Sequence, residues 1–324
     1  MKTFTQILDT FNQALAQVSF GKQPKNLYEP IQYALSLGGK RMRPALMLMA
    51  YQLYKDDFET IMPTAIGIET FHNFTLLHDD VMDRADVRRG KPTVHKVWND
   101  NTAILSGDNM LVMAFRFVAQ ARPEYLQQVV DLFTKTAIEI DEGQQYDIDF
   151  ETRMDVREEE YIEMIRLKTS VLLACALKMG AIQAGAPDAD ADRLYRFGEF
   201  LGLSFQLQDD LLDVYGDFRT FGKKIGGDIL CNKKTFMLIN ALRAANPEQH
   251  RELEKWLDAT EYDPEQKIAA VTALYDQIGV RQMAEQRIND YFAEAVKSLD
   301  AVEVAEENKR PLRDFAFALL QRKS

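Results

Sequence analysis

Ile68-Glu69-Thr70-Phe71-His72-Asn73-Phe74-Thr75-Leu76-Leu77-His78-Asp79-Asp80-Val81-Met82-Asp83, running straight into Arg84-Ala85-Asp86-Val87-Arg88-Arg89-Gly90, decides the fold. No Pro or Gly interrupts the first part, and its apolar residues recur at helical spacing, which predicts a helix. On that helix Asp79 and Asp83 lie one turn apart, with Thr75 a turn below and His72 two turns below, on one stripe. Carboxylates and apolar residues thus share a face. Like charges about 4 Å apart repel by roughly 4 kcal/mol at an effective dielectric near 20, and desolvation adds to this. Mg²⁺ relieves the repulsion, since it prefers oxygen and is typically held by one or two carboxylates, waters and substrate phosphates. For one cluster alone, a solvated acidic helix end is the plain alternative.

The pattern occurs twice. Phe205-Gln206-Leu207-Gln208-Asp209-Asp210-Leu211-Leu212-Asp213 repeats Asp-Asp-x-x-Asp at the end of another apolar, helix-like run. Surface decoration explains twin clusters poorly when buried-type positions lead into both. The expectation is a two-sided metal and phosphate site, with Asp79, Asp80, Asp83, Asp209, Asp210 and Asp213 as its metal-ligand candidates.

Around these clusters the chain reads as all-α. Its 324 residues are 46% apolar, enough core for one large domain or two ordinary ones, and no sustained alternating strand pattern appears. Most of the prolines, among them Pro44, Pro63, Pro92, Pro123, Pro187, Pro247, Pro264 and Pro311, sit where helices would begin. The formal charge of −11 argues against nucleic acid as the main partner. Cys175 and Cys231 lack metal-ligand spacing, which suits a reducing compartment. No run approaches the roughly 18 to 20 apolar residues of a membrane span, and the N-terminal stretch carries Asp9 in place of a signal-type apolar core. A soluble, cytoplasmic protein with a single domain over 1–324 is expected.

Cations accompany the acids. In Gly38-Gly39-Lys40-Arg41-Met42-Arg43-Pro44 a glycine pair ends one helix, Pro44 opens the next and three cations fill the connection. They either complement a helix C-terminus or form a diphosphate clamp in which Arg offers a planar fork and Lys a point charge. Arg88 and Arg89 either pair with the preceding aspartates or serve diphosphate tails, and the second reading is preferred. His72, on the acidic stripe, is a better ligand candidate than His78. Gln144 and Asp147, three apart, can face one cavity, a weak signal. Lys168-Thr169 is set into an apolar run, where the lysine either snorkels to water or faces a phosphate. Phe218 to Asp228 is glycine-rich and basic, like a loop closing over a phosphate.

In this order and spacing, the two aspartate clusters, the Gly-Gly-Lys-Arg-Met-Arg-Pro turn and the Arg88-Arg89-Gly90 loop resemble the trans-isoprenyl diphosphate synthases, or polyprenyl synthetases, over most of the chain. The resemblance implies the isoprenoid synthase fold, helices around a deep central cavity, in a homodimer. It implies a transferase that condenses isopentenyl diphosphate with an allylic diphosphate (dimethylallyl, geranyl or farnesyl), using three Mg²⁺ per active site. Matched by position, Lys40, Arg43, His72 and Arg89 fall on the isopentenyl diphosphate site. Asp79 and Asp83, supported by Asp80, fall on the first metal motif, and Asp209, beside Asp210 and Asp213, on the second. Arg88, Lys168, Thr169, Gln206, Lys223 and Lys233 fall on allylic diphosphate contacts, with Lys224 a rival to Lys223. Asp79, Asp83, Lys168 and Asp209 are the catalytic candidates.

Product length should depend on what floors the cavity below the first motif, with Phe74, Thr75 and Phe71 as candidates. A single aromatic at Phe74, with Thr75 beside it, is similar to geranylgeranyl-type synthases, so C20 is the first expectation and C15 the second, with longer products as an alternative. A class I terpene cyclase would share the first motif but not Asp209-Asp210-x-x-Asp213 or the Lys40/Arg43 turn. A non-enzymatic regulatory subunit would usually lack one motif.

Overall fold

The computed structural model describes residues 2–216 and 225–320. The described chain is almost wholly helical, as expected: α1 (Phe4–Ala16), α2 (Lys25–Ser36), α3 (Met42–Gln52), α4 (Met62–Met82), α5 (Val94–Val97), α6 (Asp100–Val118), α7 (Leu126–Thr152), α8 (Glu158–Ile165), α9 (Val171–Ala184) and α10 (Asp188–Tyr215). There follow α11 (Gly227–Leu230), α12 (Phe236–Ala244), α13 (Pro247–Asp258), α14 (Pro264–Ile278), α15 (Val280–Asp300) and α16 (Glu306–Leu320). None of the described helices is long and apolar enough to cross a membrane. Pro63, Pro247 and Pro264 stand in first helical turns, where the missing N–H costs nothing. Two prolines depart from the expectation: Pro92 lies in a two-residue strand and Pro311 lies inside α16.

The chain divides into two compact units, one of residues 1–134, 175–194 and 303–312, the other of 135–174, 195–302 and 313–324. In the first unit α3 is buried on nearly every face, as befits a helix apolar all round. Helix α4 packs along α6, and glycines set the approach at both ends. A Cβ on Gly67 would meet Val118 Cγ2 at 2.9 Å, and one on Gly107 would meet His78 Nε2 at 2.2 Å. His78 therefore fits into the α6 surface, where its Nε2 lies 3.0 Å from the Ile104 carbonyl. It has a packing role there.

Buried charge also ties the first unit together. Arg41 takes a left-handed backbone before α3 and donates to Glu69 at 2.5 Å and to the Leu35 carbonyl at 2.5 Å. Glu69 accepts from Asn73 as well, at 2.8 Å, and the Arg41–Glu69 side chains are only 5% and 2% exposed. Removing one partner strands a buried charge. Glu69→Ala is accordingly expected to lose about 3–5 kcal/mol in a denaturant titration; a loss under about 1 kcal/mol would show that water or another acid takes Glu69's place.

The second unit packs α8, α10, α12, α14 and α15 around Tyr161, Leu207, Phe236, Tyr275 and Ile288. Between α8 and α9, residues Arg166–Ser170 form a π-helical turn, a wide turn often found at functional sites.

Candidate active site

In the first unit, a two-residue hairpin aims the paired arginines. Val87–Arg88 pairs antiparallel with Lys91–Pro92, and the turn residues Arg89 and Gly90 both have positive φ, 54° and 75°. That geometry suits this hairpin type, though it is uncommon for a residue with a side chain. The sequence predicts only a loop here. The two neighbours consequently diverge, Arg88 reaching the aspartates and Arg89 returning to the glycine pair.

Arg89 donates through Nη1 to the Gly38 carbonyl, and Gly39, at φ 132°, leaves no room for a Cβ beside its guanidinium. From the first turn of α3, Arg43 Nη1 lies 3.1 Å from His72 Nε2. Burial, reinforced by Arg43 and Arg89, holds the His72 imidazole well below its ordinary pKa, so Nε2 stays neutral and accepts from Arg43. Burial also lowers Arg43 to about 10; Glu69 opposes the shift and Arg89 adds to it. The buried Arg43 Nε has no hydrogen-bond partner among the described residues. Arginines thus crowd around a neutral histidine and one committed glutamate, an arrangement short of negative charge. Lys40, in the same turn, is exposed.

At the C-terminal end of α4, Asp79 and Asp83 stand a turn apart, with Asp83 capping the helix. Asp80 is turned inward. Arg88 Nε lies 2.8 Å from each of its oxygens and Nη2 lies 2.7 Å from one, whereas Asp79 is 3.7 Å from Arg88. Burial raises the Asp80 carboxyl above its ordinary pKa, with Arg88 opposing. Of the two roles weighed for Arg88, the structure displays the ion pair.

Below the acids, Phe74 and Phe71 lie 5.5 Å apart between ring centroids, and Phe71 meets Phe133 edge-on at 5.1 Å. Phe115 of α6 contacts Phe133 at 5.1 Å. Phe115 and Phe133 escape a sequence reading because they join the cluster from helices distant in the chain. Thr75 donates to the His72 carbonyl of its own helix at 2.9 Å.

In the second unit, α10 carries Gln206, Asp209, Asp210 and Asp213. Asp210 is buried under the Tyr161 hydroxyl, which donates to it, and Gln206 Nε2 lies 3.2 Å from its other oxygen. Burial, with Asp228 nearby, pushes Asp210 up to about 8. Gln206 in turn accepts from the Thr169 hydroxyl at 3.3 Å, so these two candidates form one chain of contacts. Asp213 accepts from the Asp228 backbone N–H at 2.9 Å, tying α10 to the start of α11. Lys168, in the π turn, donates to Asp147 at 2.6 Å, and Lys233 lies 3.6 Å from the same oxygen. Tyr161 and Asp228 escaped the sequence reading, and Asp147 gave only the weak spacing to Gln144. Lys223 and Lys224, like the rest of the glycine-rich basic stretch up to residue 224, lie outside the described residues.

Among the described residues, no three His, Cys, Asp or Glu side chains converge into a metal cage. A Mg²⁺ site does not need one, because two carboxylates suffice when phosphates and waters complete the octahedron. The Asp79/Asp83 and Asp209/Asp213 pairs fit that need. Asp80 and Asp210, metal candidates by sequence, are engaged by Arg88 and by Tyr161 with Gln206.

The polyprenyl synthetase family pattern matches residues 24–275. A geranylgeranyl diphosphate synthase from Methanosarcina mazei is 42% identical over 221 residues, 68% of each chain. A crystal structure of a geranylgeranyl pyrophosphate synthase superposes with a TM-score of 0.95 at 44% identity, covering 100% of both chains. A polyprenyl synthase from Caulobacter crescentus CB15, solved with calcium and isoprenyl diphosphate, matches with a TM-score of 0.88 at 27% identity over 98% of this chain and 95% of that one. The chain belongs to the polyprenyl synthetase family, prenyltransferases of the all-α isoprenoid synthase fold.

Proposed function

We propose that this chain is a Mg²⁺-dependent, short-chain trans-prenyl diphosphate synthase that adds isopentenyl diphosphate to an allylic diphosphate (dimethylallyl, geranyl or farnesyl) and releases geranylgeranyl diphosphate (C20). Farnesyl diphosphate (C15) is the second choice. The observation that supports this reading is two unlike groupings of cations, each read here as an anion site. One is built from guanidiniums around neutral His72 and suits a diphosphate that stays attached throughout. The other joins Lys168 and Lys233 in the unit that carries Asp209 and Asp213, and it suits a diphosphate that must leave.

Arg43 and Arg89, with exposed Lys40, hold isopentenyl diphosphate, and His72 fixes the Arg43 fork. Lys168 and Lys233 offset charge on the allylic diphosphate as its C–O bond breaks. When bound at Asp79/Asp83 and Asp209/Asp213, Mg²⁺, expected as three ions, supplies Lewis-acid stabilisation of that leaving group. The alkene of isopentenyl diphosphate then bonds to the allylic carbon, and a proton lost from the adjacent carbon goes to the departed diphosphate. Gln206 and Thr169, already hydrogen-bonded to each other, orient the allylic end. Phe74 and Phe71, backed by Phe133, floor the hydrocarbon path.

The family match runs through residues of both compact units, which supports one synthase domain over 1–324. Exposed Ile104, Leu105 and Val112 on α6 support a homodimer, for which sedimentation should give twice the mass of one chain. A content of only two cysteines in 324 residues suits a cytoplasmic setting. The activity is tested by incubating the pure protein with Mg²⁺, labelled isopentenyl diphosphate and each primer in turn, then separating the products. Elongation to C20 is expected. No elongation by the chain alone would favour a regulatory subunit of a heteromeric synthase.

A further inference from the structure

We propose that Asp147 is a built-in stand-in for diphosphate, a positioning carboxylate that holds Lys168 and Lys233 between turnovers and competes for them, easing departure of the released diphosphate. The inference rests on the reading above that these lysines hold a diphosphate. Both ammonium groups address one oxygen of Asp147, at 2.6 and 3.6 Å, and the Asp147 and Lys168 side chains are only 17% and 24% exposed.

The local fold is arranged for this contact. Gly143 lies one turn before Asp147 on α7, and a Cβ there would sit 2.4 Å from the Lys168 backbone N. Its lack of a side chain lets the π turn rest on α7, bringing Lys168 to the carboxylate. Burial alone would raise Asp147, but Lys233 and Lys168 outweigh it and hold the group below its ordinary pKa, so it stays charged.

The consequence follows from charge. A diphosphate bound here competes with the Asp147 carboxylate for the two ammonium groups. Transfer of the lysines to that ligand leaves Asp147 half-buried and close to like charge. Asparagine has nearly the same shape and still accepts a hydrogen bond from Lys168, so Asp147→Asn removes the competing charge with little change in position. A unit charge a few ångströms from a phosphate outweighs the modest ordering of two lysine side chains.

The test is calorimetric titration of the full chain, with Mg²⁺ present, by inorganic pyrophosphate. Asp147→Asn is expected to bind about tenfold more tightly than wild type, a change typical of one nearby charge in a partly screened site. Inhibition by product pyrophosphate and KM for the allylic diphosphate should shift in the same direction, while KM for isopentenyl diphosphate stays unchanged. Asp147→Glu, which keeps the charge, should resemble wild type. Asp147→Ser provides a second charge-removing variant if the asparagine form misfolds, and it should also tighten binding. Unchanged or weaker binding in a folded charge-removing variant overturns the proposal. Lys168→Ala separates the two failures. If it leaves pyrophosphate affinity untouched, the lysine reading falls and takes this inference with it; if it weakens binding while Asp147→Asn does not tighten it, only the role of Asp147 falls.

Discussion

Asp79→Ala is expected to lower kcat by about a thousandfold or more, the scale of losing one preorganised charge-stabilising element at a leaving group. The loss should arise with little cost to the fold. Asp79 sits in the last turn of α4, and its 3.7 Å approach to Arg88 is secondary to the three closer contacts Arg88 makes with Asp80. Circular dichroism and the melting temperature should therefore stay near wild type, and excess Mg²⁺ should not restore full turnover. Near-normal turnover in steady-state assays would remove Asp79 from the metal site. Asp80→Ala is the contrasting case, because it takes away the anchor of Arg88 and should lower the melting temperature as well.

Phe74→Ala should change the product more than the rate. The Phe74 ring is 9% exposed, lies against Phe71 and contacts the His78 ring at 4.8 Å, so truncation opens space directly below the first acidic motif. The main product is expected to lengthen by at least one isoprene unit, from C20 to C25 or beyond, as read by chromatography of the dephosphorylated alcohols. Loss of a buried ring costs about 3–5 kcal/mol when nothing collapses into the space, so the assay belongs at moderate temperature. An unchanged product distribution would move the floor elsewhere, with Phe133 and Phe115 the next rings to truncate.

Much of this was legible in the chain because the informative residues are close in sequence. The apolar run before Asp79 set a helix, and helical spacing placed His72, Thr75, Asp79 and Asp83 on one stripe. The Gly-Gly-Lys-Arg-Met-Arg-Pro turn likewise showed concentrated cations. Contacts made at long range were harder to read. Asp147 meets Lys168 across 21 residues, and Tyr161 meets Asp210 across 49. Neither pair leaves a local pattern.

Backbone detail hid other features. Arg89 in a left-handed turn goes against ordinary residue preference, so the hairpin that separates Arg88 from Arg89 reads in the sequence as a loop. The π turn that presents Lys168 has no periodicity distinct from the flanking helices. The Asp-Asp-x-x-Asp spacing, finally, does not reveal that the middle aspartate of each motif faces inward. That distinction comes from Arg88 on Asp80 and from Tyr161 with Gln206 on Asp210.

On the reading above, the outer aspartates of both motifs hold metal together with diphosphate. Anomalous scattering from crystals grown with Mn²⁺ and inorganic pyrophosphate tests it most directly. Metal peaks are expected against Asp79 and Asp83 and against Asp209 and Asp213, each also touching a phosphate oxygen. Pyrophosphate bound with no metal at these carboxylates, or metal held only at other residues, would contradict it.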